Sequence, residues 1–429
     1  MKRAAFLALV VLLAGCSMLG TPDSGTEGPD PTQDQLGWED GYWYDDPIAV
    51  NASDGLNETE LETVVARSMA RIERMRGLEF NKTVPVEIIS RSEYRENQPF
   101  EINATESKWN NQVWEGLLLV GEDRNISNVF EQAYGSAVLG YYSPEDDRIV
   151  IVSNSDEPTI NRGTLVHELV HALQDQQFGI EGSPGTQDAQ LARNGVVEGE
   201  ANVIEDRYNE RCSENWSCVE SVPSGPSGGN IDVGVITVIT YPYVVGPDFV
   251  ETIEDRGGWD AVDALYSDYP ESTEQVSSPS RYPDDEPTTV SVSDRSTADW
   301  ERFDVDPEAD TVGQASIQVM LQENGAGSSG YQGPATEGWE GDSLVPYRNG
   351  DQYGYVWELA WETPEDAREF RAAYVDALYN HDVEPVDGNV YVVPDSSPFG
   401  DAFRITRNGS RVRIVNAPSV DQLDDVHAD

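Results

Sequence analysis

The chain has 429 residues, and its 79 acidic against 27 basic residues give a formal net charge of −52 at pH 7. This charge repels phosphate and therefore argues against nucleic acid as a partner. Hydrophobic residues make up 38% of the sequence, which excludes a wholly disordered chain. Because the acidic residues are spread along the whole length and concentrated salt screens their repulsion, the composition is typical of a protein from a halophilic archaeon.

The N-terminus has the pattern of an export signal. Lys2 and Arg3 precede an apolar run, Ala4–Ala14, that is too short to span a bilayer comfortably. The run ends in Leu-Ala-Gly-Cys, which resembles a lipoprotein processing box. We predict that residues 1–16 form the signal and that Cys16 carries lipid, so the protein would be anchored to the membrane at the cell surface, outside the cytoplasm. A plain secretory signal is the alternative.

The segment after the signal predicts a tether and then regular structure. Residues 17–45 are rich in Gly, Pro, Ser, Thr, Asp and Glu, which is typical of a flexible acidic linker. A helical pattern begins at Glu58, and residues 84–94 are predicted as a strand. Residues 138–153 hold two β-rich runs on either side of Pro-Glu-Asp-Asp, which predicts a hairpin.

Two further helices are predicted in the middle of the chain. Apolar residues such as Leu165, Leu169 and Leu173 fit a helix with a buried face that opens at Pro158–Thr159. A second helix is predicted over residues 195–208, and more helix follows as far as about residue 266.

The sequence changes character after a polar, acidic stretch at residues 280–312. A strand, a helix and an Asn-Gly hairpin are predicted beyond it, at residues 353–362, 363–380 and 401–415. We therefore predict an α+β fold with two units, residues 46–285 and 286–429.

Cys212 and Cys218 are the only cysteines after the signal. Two cysteines in an exported protein predict a disulfide that closes a small loop. A metal site built from cysteine alone would need more ligands.

The motif that carries chemistry is His-Glu-x-x-His, at His167, Glu168 and His171. Histidines four apart on a helix lie on one face and can direct both imidazoles at one ion. Two imidazoles and one carboxylate form a catalytic Zn²⁺ site with one open position, and the glutamate beside the first ligand suits the role of general base. The simpler interpretation, two histidines on an exposed helical face, conflicts with the apolar residues around them.

The third ligand must come from another element. Glu198 and Glu200 lie on the next predicted helix, about 200° apart around its axis, so they cannot both face the metal. Each glutamate borders the apolar stripe of that helix, and the helical pattern alone leaves both open.

Together the motif and the second helix resemble the gluzincins, zinc metallopeptidases that include thermolysin-like and membrane-alanyl-aminopeptidase-like enzymes. In that family a glutamate on the helix after His-Glu-x-x-His is the third ligand, and in the aminopeptidases it precedes glycine, as Glu198 precedes Gly199 here. The resemblance implies that Glu198 binds zinc. Glu200 would then orient a histidine or bind substrate.

The sequence also resembles surface lipoproteins of bacteria and archaea that contain a zincin domain. The likeness extends from about residue 60 to about residue 375 and includes the stretches HELVHALQDQ, VEGEA and GWEGDSLVPY. It implies a zincin-like catalytic domain, with a mixed sheet whose edge strand lies over the His-Glu-x-x-His helix, followed by a C-terminal α+β unit. The edge strand would bind an extended peptide.

Two positions depart from the thermolysin-like pattern. Those enzymes have an aspartate four residues after the glutamate ligand, where it orients a zinc histidine; here Asn202 occupies that position. They also use a histidine or tyrosine to stabilise the oxyanion. The candidates for that role are His381, Tyr208, Tyr241 and Tyr243.

We therefore expect a lipid-anchored zinc metallopeptidase that acts on peptide or protein substrates. One alternative is a zincin-fold surface protein without activity, with a binding or envelope role. Another is a metal-dependent hydrolase of a non-peptide bond.

Overall fold

The computed structural model of the protein describes residues 34–51, 55–97, 103–154, 160–220, 232–297 and 299–428. The predicted signal, residues 1–16 with Cys16, lies outside this part of the chain. Helices and mainly antiparallel strands share the described residues, so the predicted α+β fold class is confirmed.

The helices are spread over the whole described chain and range from four to 28 residues. They are α1 (Glu58–Arg76), α2 (Arg91–Asn97), α3 (Ala104–Gly116), α4 (Ile126–Ala137), α5 (Arg162–Phe178), α6 (Gln187–Glu214), α7 (Val233–Ile239), α8 (Tyr241–Gly257), α9 (Trp259–Leu265), α10 (Thr273–Ser277), α11 (Gly313–Glu323), α12 (Pro364–Tyr379) and α13 (Leu423–Val426).

The strands are concentrated in the C-terminal third. They are β1 (Trp38–Glu39), β2 (Tyr42–Trp43), β3 (Val86–Ser90), β4 (Gly140–Ser143), β5 (Arg148–Ser153), β6 (Glu301–Arg302), β7 (Trp339–Asn349), β8 (Gln352–Trp361), β9 (Glu384–Asp387), β10 (Val390–Val392), β11 (Ala402–Asn408) and β12 (Arg411–Ala417). The last seven form an antiparallel sheet in the order β6-β7-β8-β12-β11-β10-β9.

Several predicted elements are confirmed because local signals fix them. The side chain of Asn57 accepts a hydrogen bond from the backbone N–H of Glu60 and so caps α1. Thr363 caps α12 in the same way. The predicted hairpins at residues 138–153 and 401–415 are the antiparallel pairs β4–β5 and β11–β12.

A three-stranded mixed sheet lies beside α5 and has the order β3-β5-β4. β3 runs parallel to β5, and β4 runs antiparallel to it at the edge of the sheet. The edge strand is held on α5 by the hydroxyl of Tyr142, which donates to Asp175 Oδ2 at 2.8 Å. Gly140 allows this approach, because a Cβ there would lie only 2.8 Å from a methyl carbon of Thr164.

The helices α6 and α8 cross with their backbones in contact. A Cβ on Gly199 would lie 2.5 Å from the carbonyl group of Gly246, and a Cβ on Gly246 would lie 2.3 Å from the carbonyl oxygen of Gly195. Larger residues would push the two helices apart. The crossing therefore holds Tyr243, one turn before Gly246, close to Glu198.

Among the described residues, one helical run, Val233–Gly257, is long and apolar enough to cross a membrane by length and composition alone. Core helices of globular proteins meet the same criterion. Phe249 and Val250 of this run are buried in the hydrophobic core, and α8 packs along α6.

The hydrophobic core is continuous across the two predicted units. One cluster of buried side chains includes Val64 and Leu169 from the first unit and Trp357 and Phe370 from the second. The boundary predicted near residue 285 is therefore not a break in packing.

Two predicted boundaries differ from the structure. Residues 34–45, within the predicted tether, contain the hairpin β1–β2, and Gly37 N–H donates to Glu73 of α1 at 2.8 Å. Composition missed this hairpin because its contacts are made by tertiary packing. The motif helix begins at Arg162 instead of Pro158, since Asn161 caps it by accepting from Thr164 N–H.

Candidate metal centre

The helix α5 is buried around its motif and places both histidines on one face. The exposed fractions of His167, Glu168 and His171 are 0%, 1% and 2%. One helical turn separates the two histidines, and their ring centroids lie 4.7 Å apart. Such a deeply buried pair needs hydrogen-bonding partners or a ligand.

Glu198 of α6 supplies the carboxylate that meets this pair. Its Oε2 atom lies 3.0 Å from Nε2 of His167 and 3.1 Å from Nε2 of His171. One ligand atom from each of the three residues lies within 4.8 Å of the other two, and all three side chains are buried. The structure thus brings together the three residues predicted to bind the metal.

The opposite nitrogens of the two imidazoles face side-chain oxygens. Gln174 donates through Nε2 to the carbonyl oxygen of Val197 at 2.9 Å, so its Oε1 is the atom that faces Nδ1 of His171, also at 2.9 Å. Nδ1 of His167 lies 3.4 Å from Oε2 of Glu205, a longer contact outside hydrogen-bond geometry, and it has no other partner among the described residues. Both partners are hydrogen-bond acceptors, which favours the tautomer with the proton on Nδ1.

This tautomer leaves the centre of the cluster without a proton. In neutral imidazoles protonated at Nδ1, both Nε2 atoms present lone pairs, and these would face the lone pairs of Glu198 Oε2. Three acceptors at such short distances require extra protons or a cation between them. A metal that binds through imidazole Nε2 atoms and a carboxylate fits this set of donors.

The pKa shifts of His167 and Glu198 in the cluster without metal also indicate that the cluster needs positive charge. Burial lowers the pKa of His167, but the carboxylates of Glu198 and Glu205 outweigh it and raise that pKa to about 10. Burial raises the pKa of Glu198, yet His171 and His167 lower it to about 2. The metal-free cluster therefore holds a carboxylate and at least one protonated imidazole, and a cation would replace the proton.

Glu168 lies beside the cluster and is not part of its ligand set. Burial raises the pKa of its carboxyl group, while His171 and His167 lower it and the backbone N–H of Tyr142 also lowers it through a hydrogen bond. Its Oε1 atom is buried and has no hydrogen-bond partner in the part of the chain that the structure describes. An unpaired carboxylate oxygen at this position is suited to accept a proton from a water molecule.

Glu200 points away from the histidines. It accepts hydrogen bonds from Nε of Arg76 and from the hydroxyl of Tyr266, both at 2.6 Å. Arg76 in turn pairs with Asp263 and lies over the ring of Trp259. Both oxygens of Glu200 are therefore used in a buried ion pair, away from the His167–His171 cluster.

Asn202 bonds to the backbone of Tyr243, and Tyr243 is the oxyanion candidate that contacts the cluster. Asn202 donates to the backbone carbonyl of Tyr243 at 3.2 Å. The ring of Tyr243 lies 6.4 Å from that of His167, and the Tyr243 hydroxyl hydrogen-bonds to Glu198. Burial, with the charge of Glu198, raises the pKa of Tyr243 well above its usual range.

The other three oxyanion candidates contact other parts of the molecule. Tyr208 interacts with Arg71, Tyr241 donates to the carbonyl of Thr273, and His381 bonds to Asn324. Of the four candidates, only Tyr243 contacts the cluster in the described structure.

Two residues of the site were not identified from the sequence. Glu205 lies seven positions after Glu198, two turns along the same face of α6, and Gln174 lies three after His171 on α5. Both spacings are helical and could have been found once the ligands were fixed. Glu205, three residues after Asn202, is the carboxylate that lies beside His167. Gly163 allows this approach, because a Cβ there would clash with the Glu205 carboxylate.

The predicted disulfide between Cys212 and Cys218 is confirmed. It joins the last turn of α6 to the loop that follows, and Arg71 lies against it and stacks on Trp216. This end of α6 is distant in sequence from Glu198 and carries no residue of the cluster.

A family model for a domain of unknown function, DUF8575, matches residues 301–427. The match includes the seven-stranded sheet and α12 but none of the residues of the His167–His171–Glu198 cluster. A comparison with curated proteins gives no significant match.

Proposed function

We propose that the protein is a zinc metallopeptidase with a zincin-like arrangement of α5, α6 and the edge strand β4. The observation that carries the proposal is the convergence of His167 Nε2 and His171 Nε2 on Glu198 Oε2, with both Nδ1 atoms facing acceptors. Zinc held by these residues would act as a Lewis acid that polarises a water molecule and a substrate carbonyl.

Glu168 has the position of a general base. Its unpaired Oε1 can accept a proton from the attacking water and then donate it to the leaving amine. A metal site with a purely structural role has no use for a buried carboxylate beside the ligands whose Oε1 has no donor among the described residues.

The edge strand supports a peptide as the substrate. β4 pairs with β5 on one side only, and the N–H of Tyr142 that bonds to Glu168 belongs to its other side. An extended peptide that adds to this free edge would run past Glu168. Tyr243, whose hydroxyl bonds to Glu198, would donate to the oxygen that becomes negative during hydrolysis.

One observation favours the second candidate, a metal-binding surface protein without catalytic activity. The exposed fraction of every residue in the cluster is 2% or less, so a substrate must displace covering groups to reach it. In that case zinc would stabilise the packing of α5 on α6, and Glu168 would have no catalytic role.

We also propose that lipid on Cys16 holds the protein at the outer face of the membrane, which fits an acidic, disulfide-bonded chain. Membrane fractionation tests this, since Cys16→Ser should move the protein into the medium or block its processing. An unmodified mature N-terminus at another residue, found by mass spectrometry, would contradict the proposal.

The metal proposal is tested by elemental analysis and peptide hydrolysis in molar KCl. We expect one zinc ion per chain, loss of hydrolysis with a chelator and recovery on adding zinc. His167→Ala should lose the zinc, whereas the control His381→Ala, which removes a histidine bonded to Asn324, should keep it. Full zinc content in His167→Ala would place the metal elsewhere.

A further inference from the structure

A second group of acidic side chains lies far from the histidines in sequence, between α3 and the seven-stranded sheet. Glu115 is near the end of α3, Glu122 follows in the loop before α4, and Asp401 precedes β11. One carboxylate oxygen from each lies within 4.8 Å of the other two. The exposed fractions of Glu115 and Asp401 are 4% and 6%, while Glu122 is exposed.

The backbone holds these carboxylates together. The N–H of Glu122 donates to the carbonyl oxygen of Pro398 at 3.0 Å. A Cβ on Gly121 would lie 2.5 Å from the same oxygen, so glycine is needed for the two loops to approach this closely. The fold thus fixes the three acidic residues at short range.

Positive charge is missing from this group. Within the described part of the chain, none of the three carboxylates has a Lys, Arg or His nitrogen at ion-pair distance. Burial, followed by the charges of Asp401 and Glu122, raises the pKa of Glu115 well above its usual range. Burial and the charge of Glu122 raise the pKa of Asp401 to about 8.

Two buried carboxamides provide an independent indication of a ligand. Gln112 donates to Glu115 Oε2 at 2.6 Å, and Asn416 donates to Asp401 Oδ2 at 2.8 Å. The exposed fractions of these side chains are 5% and 0%, and the oxygen of each carboxamide is buried and has no hydrogen-bond donor among the described residues. The oxygen and the nitrogen of a carboxamide share one carbon, so each unpaired oxygen lies next to the NH2 group that contacts a carboxylate.

We propose that Glu115, Glu122 and Asp401 bind a calcium ion, with the carboxamide oxygens of Gln112 and Asn416 as further ligands. Every donor is oxygen, which suits a hard cation and separates this site from the imidazole cluster. Calcium accepts six to eight oxygen ligands in irregular geometry, whereas magnesium keeps several waters and demands an octahedron. Direct contact with two buried carboxylates and two carboxamides therefore favours calcium.

The proposed ion would join two parts of the chain. Asp401 and Asn416 belong to residues 301–427, which match the family model, and the other ligands come from α3 and the loop after it. Calcium would thus fasten the matched domain to the first half of the protein. This role is independent of peptidase activity.

The test uses the full chain, stripped with a chelator, reloaded with zinc and kept in molar KCl. Calcium binding is measured by titration calorimetry, and the unfolding temperature is measured with calcium or with an equal concentration of magnesium. We expect one calcium ion per chain and a rise in the unfolding temperature that magnesium does not match. An equal effect of both ions would show only general screening and would overturn the proposal.

Variants locate the ion. Glu122→Gln changes an exposed side chain and should leave folding intact while calcium affinity falls by about tenfold or more, because ligand charge sets affinity in such sites. Glu131→Gln removes the same charge from an exposed position on α4 and should bind like the wild type. Asp401→Asn should abolish binding. Wild-type affinity in both Glu122→Gln and Asp401→Asn would refute the site, even if either variant is less stable.

Discussion

Glu198 and Glu200 stand two residues apart on α6, and both are 1% exposed, yet their surroundings differ in kind. Glu200 has a donor for each oxygen, from Arg76 and Tyr266, and its charge is neutralised by the protein itself. Glu198 faces Nε2 of two imidazoles, whose opposite nitrogens face the oxygens of Gln174 and Glu205. A buried acid with all partners present is structural, whereas one that faces lone pairs is suited to bind a cation.

The largest effect is expected from Glu168→Gln, which tests whether the cluster that contains Glu198 supports chemistry. Loss of a general base should lower peptide hydrolysis by roughly 10²–10⁴-fold, with zinc content unchanged. Turnover and elemental analysis measure this, and Glu210→Gln, an exposed change on α6, is the control. Equal turnover in both variants would end the proposed mechanism and favour the non-catalytic alternative.

The difference between Glu198 and Glu200 is tested by replacing each of them with glutamine. Glu198→Gln should lose most of its zinc, because one charged ligand is gone. Glu200→Gln should retain the zinc and instead lose about 3 kcal/mol of unfolding free energy, since Arg76 would remain buried with a weaker partner. Zinc content and denaturant unfolding are the measurements. The reverse pattern, with zinc lost only in Glu200→Gln, would exchange the two roles.

Substitutions of the residues around the ligands should have smaller effects on zinc affinity. Glu205→Gln should weaken zinc affinity by roughly 10–100-fold, because the acceptor that holds the His167 tautomer becomes uncharged. Asn202→Ala should change the affinity little, since Asn202 bonds to the carbonyl of Tyr243 and not to a histidine. Competition with a chromogenic chelator measures both. Equal loss in the two variants would mean that Glu205 does not orient His167.

The smallest effect is expected at the far end of α6. Replacing Cys212 and Cys218 by serine opens a short loop and should lower the unfolding free energy by about 2 kcal/mol. Zinc content and turnover of the folded variant should stay the same. Thermal unfolding under oxidising and reducing conditions checks this, and a loss of zinc on reduction would show that the disulfide supports the cluster.

Local sequence signals predicted a large part of the elements in this structure. The start of α1 at Glu58, the helix α12, the Asn-Gly turn between β11 and β12 and the hairpin β4–β5 each depend on neighbours in sequence. The same holds for His167 and His171, because a four-residue spacing on a helix fixes their common face. Asn161 as the cap of α5 was missed, since the helix could begin at more than one polar residue.

By themselves, the composition and the sequence patterns determined an acidic α+β chain, and the motif placed two histidines and a glutamate on one helix. They could not determine which glutamate joins them, because Glu198 and Glu200 both border the apolar stripe of α6. Only the tertiary structure decided this, since the contact between Gly199 and Gly246 and the position of Arg76 set the rotation of α6 against its neighbours. The approach of Glu115 and Asp401, 286 residues apart in the chain, likewise depends on packing that no local pattern encodes.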